Sequence, residues 1–243
     1  MFPGLSYADP LQNVTAPPSD DTAGANSSYT VNFTTSGSGF VPRDGRILVT
    51  FPAGFDVSGV AFVSSSAMTG KFSISTAGTT VTFTRDNTGN IIGSNQPVDI
   101  SFATVANTTT AGSYQVTVET QQNDTTNIDG PTASSNFSIT PGSLAYYSLA
   151  AAPDNPSAGN SSSVTISAYD VYDNQITTYD NANQVDITQS GGTPAALSYA
   201  AGSGFGGLTD NGDGTASITA GSFVGGVYTF DVTDTNAEGP VTF

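Results

Sequence analysis

The sequence predicts an all-β protein that folds as two antiparallel β-sandwiches in tandem, and three observations predict it. Apolar residues alternate with small polar ones, as at Tyr29, Val31 and Phe33, which is the period of half-buried strands. Clusters of Gly, Pro, Asn and Asp interrupt these runs about every ten residues. No segment shows the periodicity of a helix. Short strands at this spacing are typical of immunoglobulin-like sandwiches.

An internal repeat predicts where one sandwich ends and the next begins. Ala23-Gly24 and Ala158-Gly159 each precede a strand, residues 112–116 correspond to 226–230, and residues 126–131 correspond to 235–240. A chain of 243 residues is long enough for two cores. We therefore expect an N-terminal sandwich over residues 8–140, with extra strands around residues 60–96, and a C-terminal sandwich over residues 143–243.

The composition argues against most enzyme mechanisms. The chain has no His, Cys or Trp, and Lys71 is its one lysine. The usual general bases, thiol nucleophiles and Schiff-base amines are therefore missing, and we expect no catalytic activity. Glycosidase chemistry needs only two carboxylates across a cleft, so it stays open as the residual enzyme alternative.

The charge balance restricts the partners. Twenty acidic residues face four basic ones, and residues 141–243 hold ten acids and no base. Nucleic acids and anionic membranes need a basic footprint, so neither is expected to bind. No run approaches the roughly 20 apolar residues of a membrane span, so membrane insertion is not expected.

Two features bear on localisation. The absence of cysteine suits a chain that is exposed to an oxidising exterior. Residues 1–10 lack the basic region and apolar run of a signal peptide, so an export signal would be removed or lie outside this sequence. We predict an extracellular protein at the cell surface.

Part of the chain resembles known surface proteins. Residues 164–174, Val-Thr-Ile-Ser-Ala-Tyr-Asp-Val-Tyr-Asp-Asn, resemble bacterial and archaeal surface domains of the invasin and intimin kind, and residues 209–215 resemble the hairpin of filamin-type repeats. Residues 10–140 resemble repeats of surface-layer and filament proteins through Phe51-Pro52-Ala53-Gly54. The resemblance implies the sandwich fold and a role in a surface layer, a filament or an adhesin. One departure is Asp173, where such domains have Gly before the Asn.

Three loops of the second sandwich predict a calcium site. If the loops after its second, fourth and sixth strands emerge at one end, their acidic residues meet there without a basic residue. Carboxylate oxygens without His or Cys suit calcium, which would stiffen the junction between the domains. The predicted ligands are Asp170, Asp173, Asp210, Asp213, Asp234 and Glu238.

A simpler interpretation of the same loops stays open. Asp, Asn and Gly supply the positive φ that hairpins need, so these acids could be solvated turn residues. The segment 210–214 is not an EF-hand, because the loop spacing and its closing Glu are missing.

The sequence also offers surface chemistry. Five tyrosines could form an adhesive or sugar-binding face, or could be core and rim residues; they are Tyr146, Tyr147, Tyr169, Tyr172 and Tyr179. Seven Asn-x-Ser/Thr sequons would permit glycosylation in an exported protein. They lie at Asn13, Asn26, Asn32, Asn107, Asn123, Asn136 and Asn160.

The two ends of the sequence resemble the two halves of the internal linker. Residues 2–7 resemble residues 140–146, and residues 241–243 resemble the residues just before that linker. Either the sequence is a segment of a longer tandem array, or copies stack head to tail into an open fibre. In the second case an N-terminal segment would add a strand to a neighbour's exposed edge. The predicted subunit contacts are Phe2, Leu5, Tyr7, Val241 and Phe243.

These inferences predict a structural subunit of a cell-surface filament or surface layer that assembles head to tail, with calcium at its junctions. Its partners would be further copies of itself, and other surface proteins or glycans. The alternative is an adhesin stalk or a module that binds carbohydrate or a receptor.

Overall fold

The structure, a computed structural model, describes residues 8–237, 239 and 241–243. Eighteen strands and one short 3-10 helix, Pro194–Ala196, make up its regular structure, and the prediction of an all-β, immunoglobulin-like fold is confirmed. In the described residues, no helix is long and apolar enough to span a membrane. The strands are β1 (Gln12–Thr15), β2 (Asn26–Thr34), β3 (Arg46–Thr50), β4 (Phe62–Ser64), β5 (Phe72–Ala77), β6 (Thr80–Arg85), β7 (Pro97–Ala106), β8 (Gly112–Tyr114), β9 (Thr117–Gln121), β10 (Asn127–Ala133), β11 (Phe137–Ile139), β12 (Tyr146–Ala152), β13 (Ser161–Tyr169), β14 (Val185–Ile187), β15 (Leu197–Ala201), β16 (Leu208–Asp210), β17 (Ala216–Ile218) and β18 (Val227–Asp234).

The chain divides into two compact units, unit 1 (Met1–Thr140) and unit 2 (Pro141–Phe243). Unit 1 has one sheet in the order β1-β2-β7-β4 and a second in the order β10-β9-β3-β6-β5, with β8 and β11 paired beside them. Neighbouring strands in these sheets are antiparallel.

The core of unit 1 follows from the alternation along its strands. In β2 every second residue is buried, so Tyr29, Val31 and Phe33 point inward while their neighbours are more exposed. The Tyr29 ring meets Phe51 edge-on, with 5.0 Å between the ring centroids. The Tyr29 hydroxyl donates to Asn107 Oδ1 at 2.6 Å, which satisfies the one polar atom of this buried side chain.

Unit 2 repeats the strand order of the first seven strands of unit 1. Its first sheet runs β12-β13-β18-β15, and its second runs β14-β17-β16. Counted within its own unit, the first sheet has its strands in the order first, second, seventh, fourth, and the second sheet in the order third, sixth, fifth. Unit 1 has the same two orders. Among the described residues, no strand of unit 2 stands where β9 and β10 stand in unit 1.

This order corrects one match of the internal repeat. Residues 112–116 lie in and after β8, which pairs with β11, whereas residues 226–230 begin β18, which pairs with β13 and β15. The two segments share Gly, a Tyr two positions later and an apolar residue two positions after that, so the match is one of local sequence and not of sheet position. The sheet position of β18 is that of β7.

The core of unit 1 predicts a large contrast between two phenylalanines. Phe83 is fully buried, whereas Phe62 is 72% exposed. We expect Phe83→Ala to lower the free energy of unfolding by about 3–5 kcal/mol, because it removes the ring and leaves a cavity. Phe62→Ala is the matched control and should change it by no more than about 0.5 kcal/mol. Denaturant unfolding followed by circular dichroism measures both, and equal effects would contradict this core.

Candidate functional site

The predicted convergence of three acidic loops in unit 2 is wrong. Strands β13 and β18 are antiparallel, with Ser161 opposite Thr233 and Ser167 opposite Val227. Asp170 follows the end of β13, so it lies at the opposite end of the sheet from Asp234, the last residue of β18.

The cause is one strand that the sequence prediction did not count. Strand β15 reverses the chain between β14 and the β16–β17 hairpin, so Asp210 and Asp213 lie at the same end as Asp234. The Tyr199 N–H, on β15, donates to Asp210 Oδ2 at 2.8 Å. Glu238 lies outside the described residues. In the part of the chain that the structure describes, no three acidic side chains form a group that could hold a metal ion.

Asp170 fixes the conformation of the loop around it through hydrogen bonds. Its carboxylate is fully buried and accepts hydrogen bonds at both oxygens. Oδ1 accepts the N–H groups of Tyr172 and Asn174 at 2.8 and 2.9 Å. Oδ2 accepts the Gly142 N–H and the Asn174 side-chain amide, each at 2.9 Å. Burial acts to raise the pKa of Asp170, but these hydrogen bonds outweigh it and hold that pKa below its usual value.

The backbone at Asp173 has a conformation that glycine adopts more readily than aspartate. Its φ of 65° lies in the left-handed region that glycine adopts most readily. The Asp173 carboxylate accepts a hydrogen bond from the Tyr146 hydroxyl at 2.6 Å. This bond raises the pKa of Tyr146 to about 12. Asp173 therefore ties its loop to the start of β12.

The three other predicted ligands that the structure describes cap their own turns. The backbone N–H two residues further on donates to each carboxylate: Gly212 to Asp210, Thr215 to Asp213 and Asn236 to Asp234, at 2.8–3.0 Å. These bonds are those expected of the turn interpretation. Calcium binding by the chain stays a prediction.

The open edge of β14 is the most distinctive surface of unit 2. Strand β14 pairs with β17 on one side, and no described strand pairs with its other side. In unit 1 the equivalent strand, β3, pairs with both β6 and β9. Two residues beyond β14, the buried Oε1 of Gln189 accepts no hydrogen bond from the described residues.

A groove of about 980 Å³ opens at the Asp234 end of unit 2. Its apolar lining includes Val164, Leu197 and Val232, which belong to three strands of the first sheet, and the rim includes Asp154 and Asp234. Sequence reasoning missed this groove, because inward-facing residues have the same alternation whether or not an opposite sheet covers them.

Two of the predicted subunit contacts line the groove. Val241 is half-buried and packs against the core of unit 2, and Phe243 is 40% exposed. Between them Thr242 exchanges two backbone hydrogen bonds with Ser190, at 2.8 and 3.0 Å. Phe2, Leu5 and Tyr7 lie outside the described residues. Subunit contact at all five stays a prediction.

One predicted glycosylation site is wrong. Asn107 is 3% exposed, and its side-chain amide donates to the carbonyl oxygens of Asp20 and Thr22. A glycan at this nitrogen would break both bonds and has no room in the folded unit. The other six sequon asparagines are exposed: Asn13, Asn26, Asn32, Asn123, Asn136 and Asn160.

The tyrosines are divided between core and surface. Tyr147 and Tyr179 are half-buried, share a hydrogen bond between their hydroxyls at 2.6 Å and pack against Phe223. Tyr146 and Tyr172 are exposed, by 41% and 44%. Two of the five therefore belong to the core, and a five-tyrosine adhesive face does not form.

No protein-family model and no curated protein sequence matches the chain. Solved structures of similar fold include a cohesin from a cohesin–dockerin complex of Clostridium thermocellum, with 13% identity over 57% of this chain and 99% of that chain, and a TM-score of 0.38. The Escherichia coli adhesin FdeC matches with 15% identity over 97% of this chain and 64% of that one, at a TM-score of 0.37. A non-cellulosomal cohesin from Archaeoglobus fulgidus matches with 16% identity over 53% and 91%, at 0.32.

The hydrogen bonds of Asp170 predict an acid-dependent contribution to stability. We expect Asp170→Asn to lower the free energy of unfolding at pH 7 by about 1.5–3 kcal/mol, because an amide group then faces several N–H donors. The pKa of Asp170 is lowered in the folded state, so its stabilising effect is present at neutral pH and is lost as the pH falls below about 4. Thermal unfolding should show that the difference in unfolding temperature between variant and wild type is smaller at pH 3 than at pH 7.

The exposed Asp154 supplies the control for this experiment. Asp154→Asn should unfold like the wild type at both pH values. If the difference in unfolding temperature between Asp170→Asn and the wild type is the same at both pH values, the charge of Asp170 does not have the proposed role.

Proposed function

We propose that the chain is a non-catalytic structural module of the cell surface, and that copies join head to tail by strand addition at the open edge of unit 2. The observation that carries the proposal is the unpaired side of β14, together with the apolar groove at the Asp234 end. Unpaired strand edges attract additional strands, because their N–H and C=O groups lack partners.

The groove has both apolar and polar lining residues. Val164, Leu197, Val232, Val241 and Phe243 supply its apolar lining, and the rim is acidic. In unit 1 the corresponding sheet is completed by β9 and β10, whose inward residues include the fully buried Val118. Val164, Leu197 and Val232 are already buried, so a strand that enters unit 2 would mainly cover Val241 and Phe243, at roughly 25 cal/mol for each Å² of apolar area.

We propose that residues 2–7 of the next copy provide this strand. Leu5 and Tyr7 are two positions apart, so both would face the groove if the segment is extended. Each copy would then hold one donor and one acceptor, and such a heterologous contact builds an open fibre.

The surface location rests on features of the chain itself. It has no cysteine, six of its sequon asparagines are exposed, and its sixteen excess negative charges favour solubility outside the cell. Attachment of glycans at these six sites belongs to the same proposal.

Mixing two blocked variants tests the assembly. The donor variant is Phe2→Ser/Leu5→Ser/Tyr7→Ser, and the acceptor variant is Phe243→Asp, which places a charge in the groove. We expect wild-type protein to form filaments in negative-stain electron microscopy and each variant alone to be a monomer by light scattering. A one-to-one mixture should form a dimer that grows no further, because only one donor and one acceptor remain active.

Phe62→Ser is the control, since it removes an exposed aromatic residue of unit 1 and should leave filaments unchanged. Circular dichroism of each variant establishes that it is folded. Wild-type protein that stays monomeric at high concentration would overturn self-assembly and favour the alternative of an adhesive module. If either variant forms filaments by itself, the donor-strand contact is overturned, but self-assembly is not.

A further inference from the structure

Unit 1 contains a buried carboxylate with an unused oxygen. Asp129, on β10, is fully buried. Its Oδ2 accepts the Ser36 N–H at 3.2 Å, but its Oδ1 accepts no hydrogen bond from the described residues. An ionised carboxylate without a full set of partners is costly to bury, because it has lost its water.

A second acidic residue pairs with Asp129 through the backbone. Asp9 and Asp129 are bridge partners in parallel pairing, and the Gly130 N–H donates to the Asp9 carbonyl oxygen at 2.8 Å. Partners in such a bridge direct their side chains to the same face. The Asp9 carboxylate accepts a hydrogen bond from the Ser38 hydroxyl, so it reaches the same loop as Asp129.

The loop at residues 36–39 contacts both acids and adds further oxygens. Ser36 and Ser38 have hydroxyl groups 3.5 Å apart. Gly39 lies so close to the Asp129 carboxylate that any β-carbon at this position would overlap it. The absence of a side chain at residue 39 is thus what lets the loop approach the acid.

The basic residue that is buried in unit 1 is engaged elsewhere. Arg85 directs its guanidinium at the carbonyl oxygens of Val41, Pro42, Thr69 and Asn90. The three other basic residues of the chain are Arg43, Arg46 and Lys71, and none of them donates a hydrogen bond to Asp129 Oδ1. A cation from solution is therefore the partner that suits these two carboxylates.

We propose that Asp9 and Asp129 bind a hard divalent cation of the calcium type, with the hydroxyl oxygens of Ser36 and Ser38 as further ligands. Calcium accepts carboxylate and neutral oxygen ligands in flexible geometries, and these four residues offer only such atoms. Asp9 is exposed, so the cation has a path from solvent. The bound ion would hold the segment before β1 and the loop at residues 36–39 against β10. This site is separate from the six residues that the sequence predicted.

Calorimetric titration of the full-length protein tests the site. After dialysis against a chelator, CaCl₂ and MgCl₂ are titrated at constant ionic strength. We expect calcium to bind, and Asp129→Asn and Asp9→Asn each to weaken that binding by at least about tenfold, since each removes a charged ligand. The exposed Asp180 in unit 2 supplies the control, and Asp180→Asn should bind as the wild type does.

Thermal unfolding separates a cation ligand from a merely structural acid. In chelator, Asp129→Asn should unfold at the same temperature as the wild type or higher, because the variant buries no unpaired charge. In calcium the order should reverse, because only the wild type gains from the ion. An absence of calcium binding, or binding that both variants retain, would overturn the proposal. So would a variant that is less stable than the wild type by the same amount in both conditions.

Discussion

In both units the inward face of each sheet must pack against the opposite sheet, and the rest of the structure depends on this constraint. In unit 1 the strands β9 and β10 extend the second sheet beyond β3, and Ile47 and Val49 on β3 are fully buried. Unit 2 has the same seven-strand arrangement, but among its described residues no strand extends the sheet beyond β14. In unit 1 the third strand is therefore paired on both sides, whereas the equivalent strand of unit 2, β14, has no described strand on its outer side.

Carboxylates act in three different ways in this chain, and the number of donors around each one decides which. Asp170 is buried and accepts four hydrogen bonds, so it is complete without an ion. Asp99 is similarly occupied by Ser66 and Ala67, which donate to both of its oxygens. Asp213 caps an exposed turn. Asp129 alone among these four is buried with an oxygen that no described donor reaches.

The proposed assembly and the proposed cation site make different demands on the fold. Strand addition uses backbone groups and apolar surface at unit 2, whereas the cation site uses side-chain oxygens in unit 1. Neither needs His or Cys, so the composition that argues against most catalysis leaves both possible.

Local pattern was enough to predict the strands, because alternation of side chains is a property of the extended backbone itself. The inward residues of β2 and β13 could be read from the sequence for this reason, and so could the turn chemistry of residues 210–215. The position of a loop depends instead on how many times the chain has reversed before it. Because the prediction did not count β15, it placed Asp210, Asp213 and Asp234 at the wrong end of the sandwich.

Burial of polar residues was also decided by tertiary structure alone. Asn107 has the sequence of a glycosylation site, and Asp129 lies in the repeated segment of residues 126–131. Their surroundings come from residues far along the chain: Asn107 binds the carbonyl oxygens of Asp20 and Thr22, and Asp129 lies against Ser36 and Gly39. The sequence by itself determined the fold class and the chemistry available to it. Only the packing of distant segments decided which polar atoms found partners, because hydrogen-bond partners are set by distance in space.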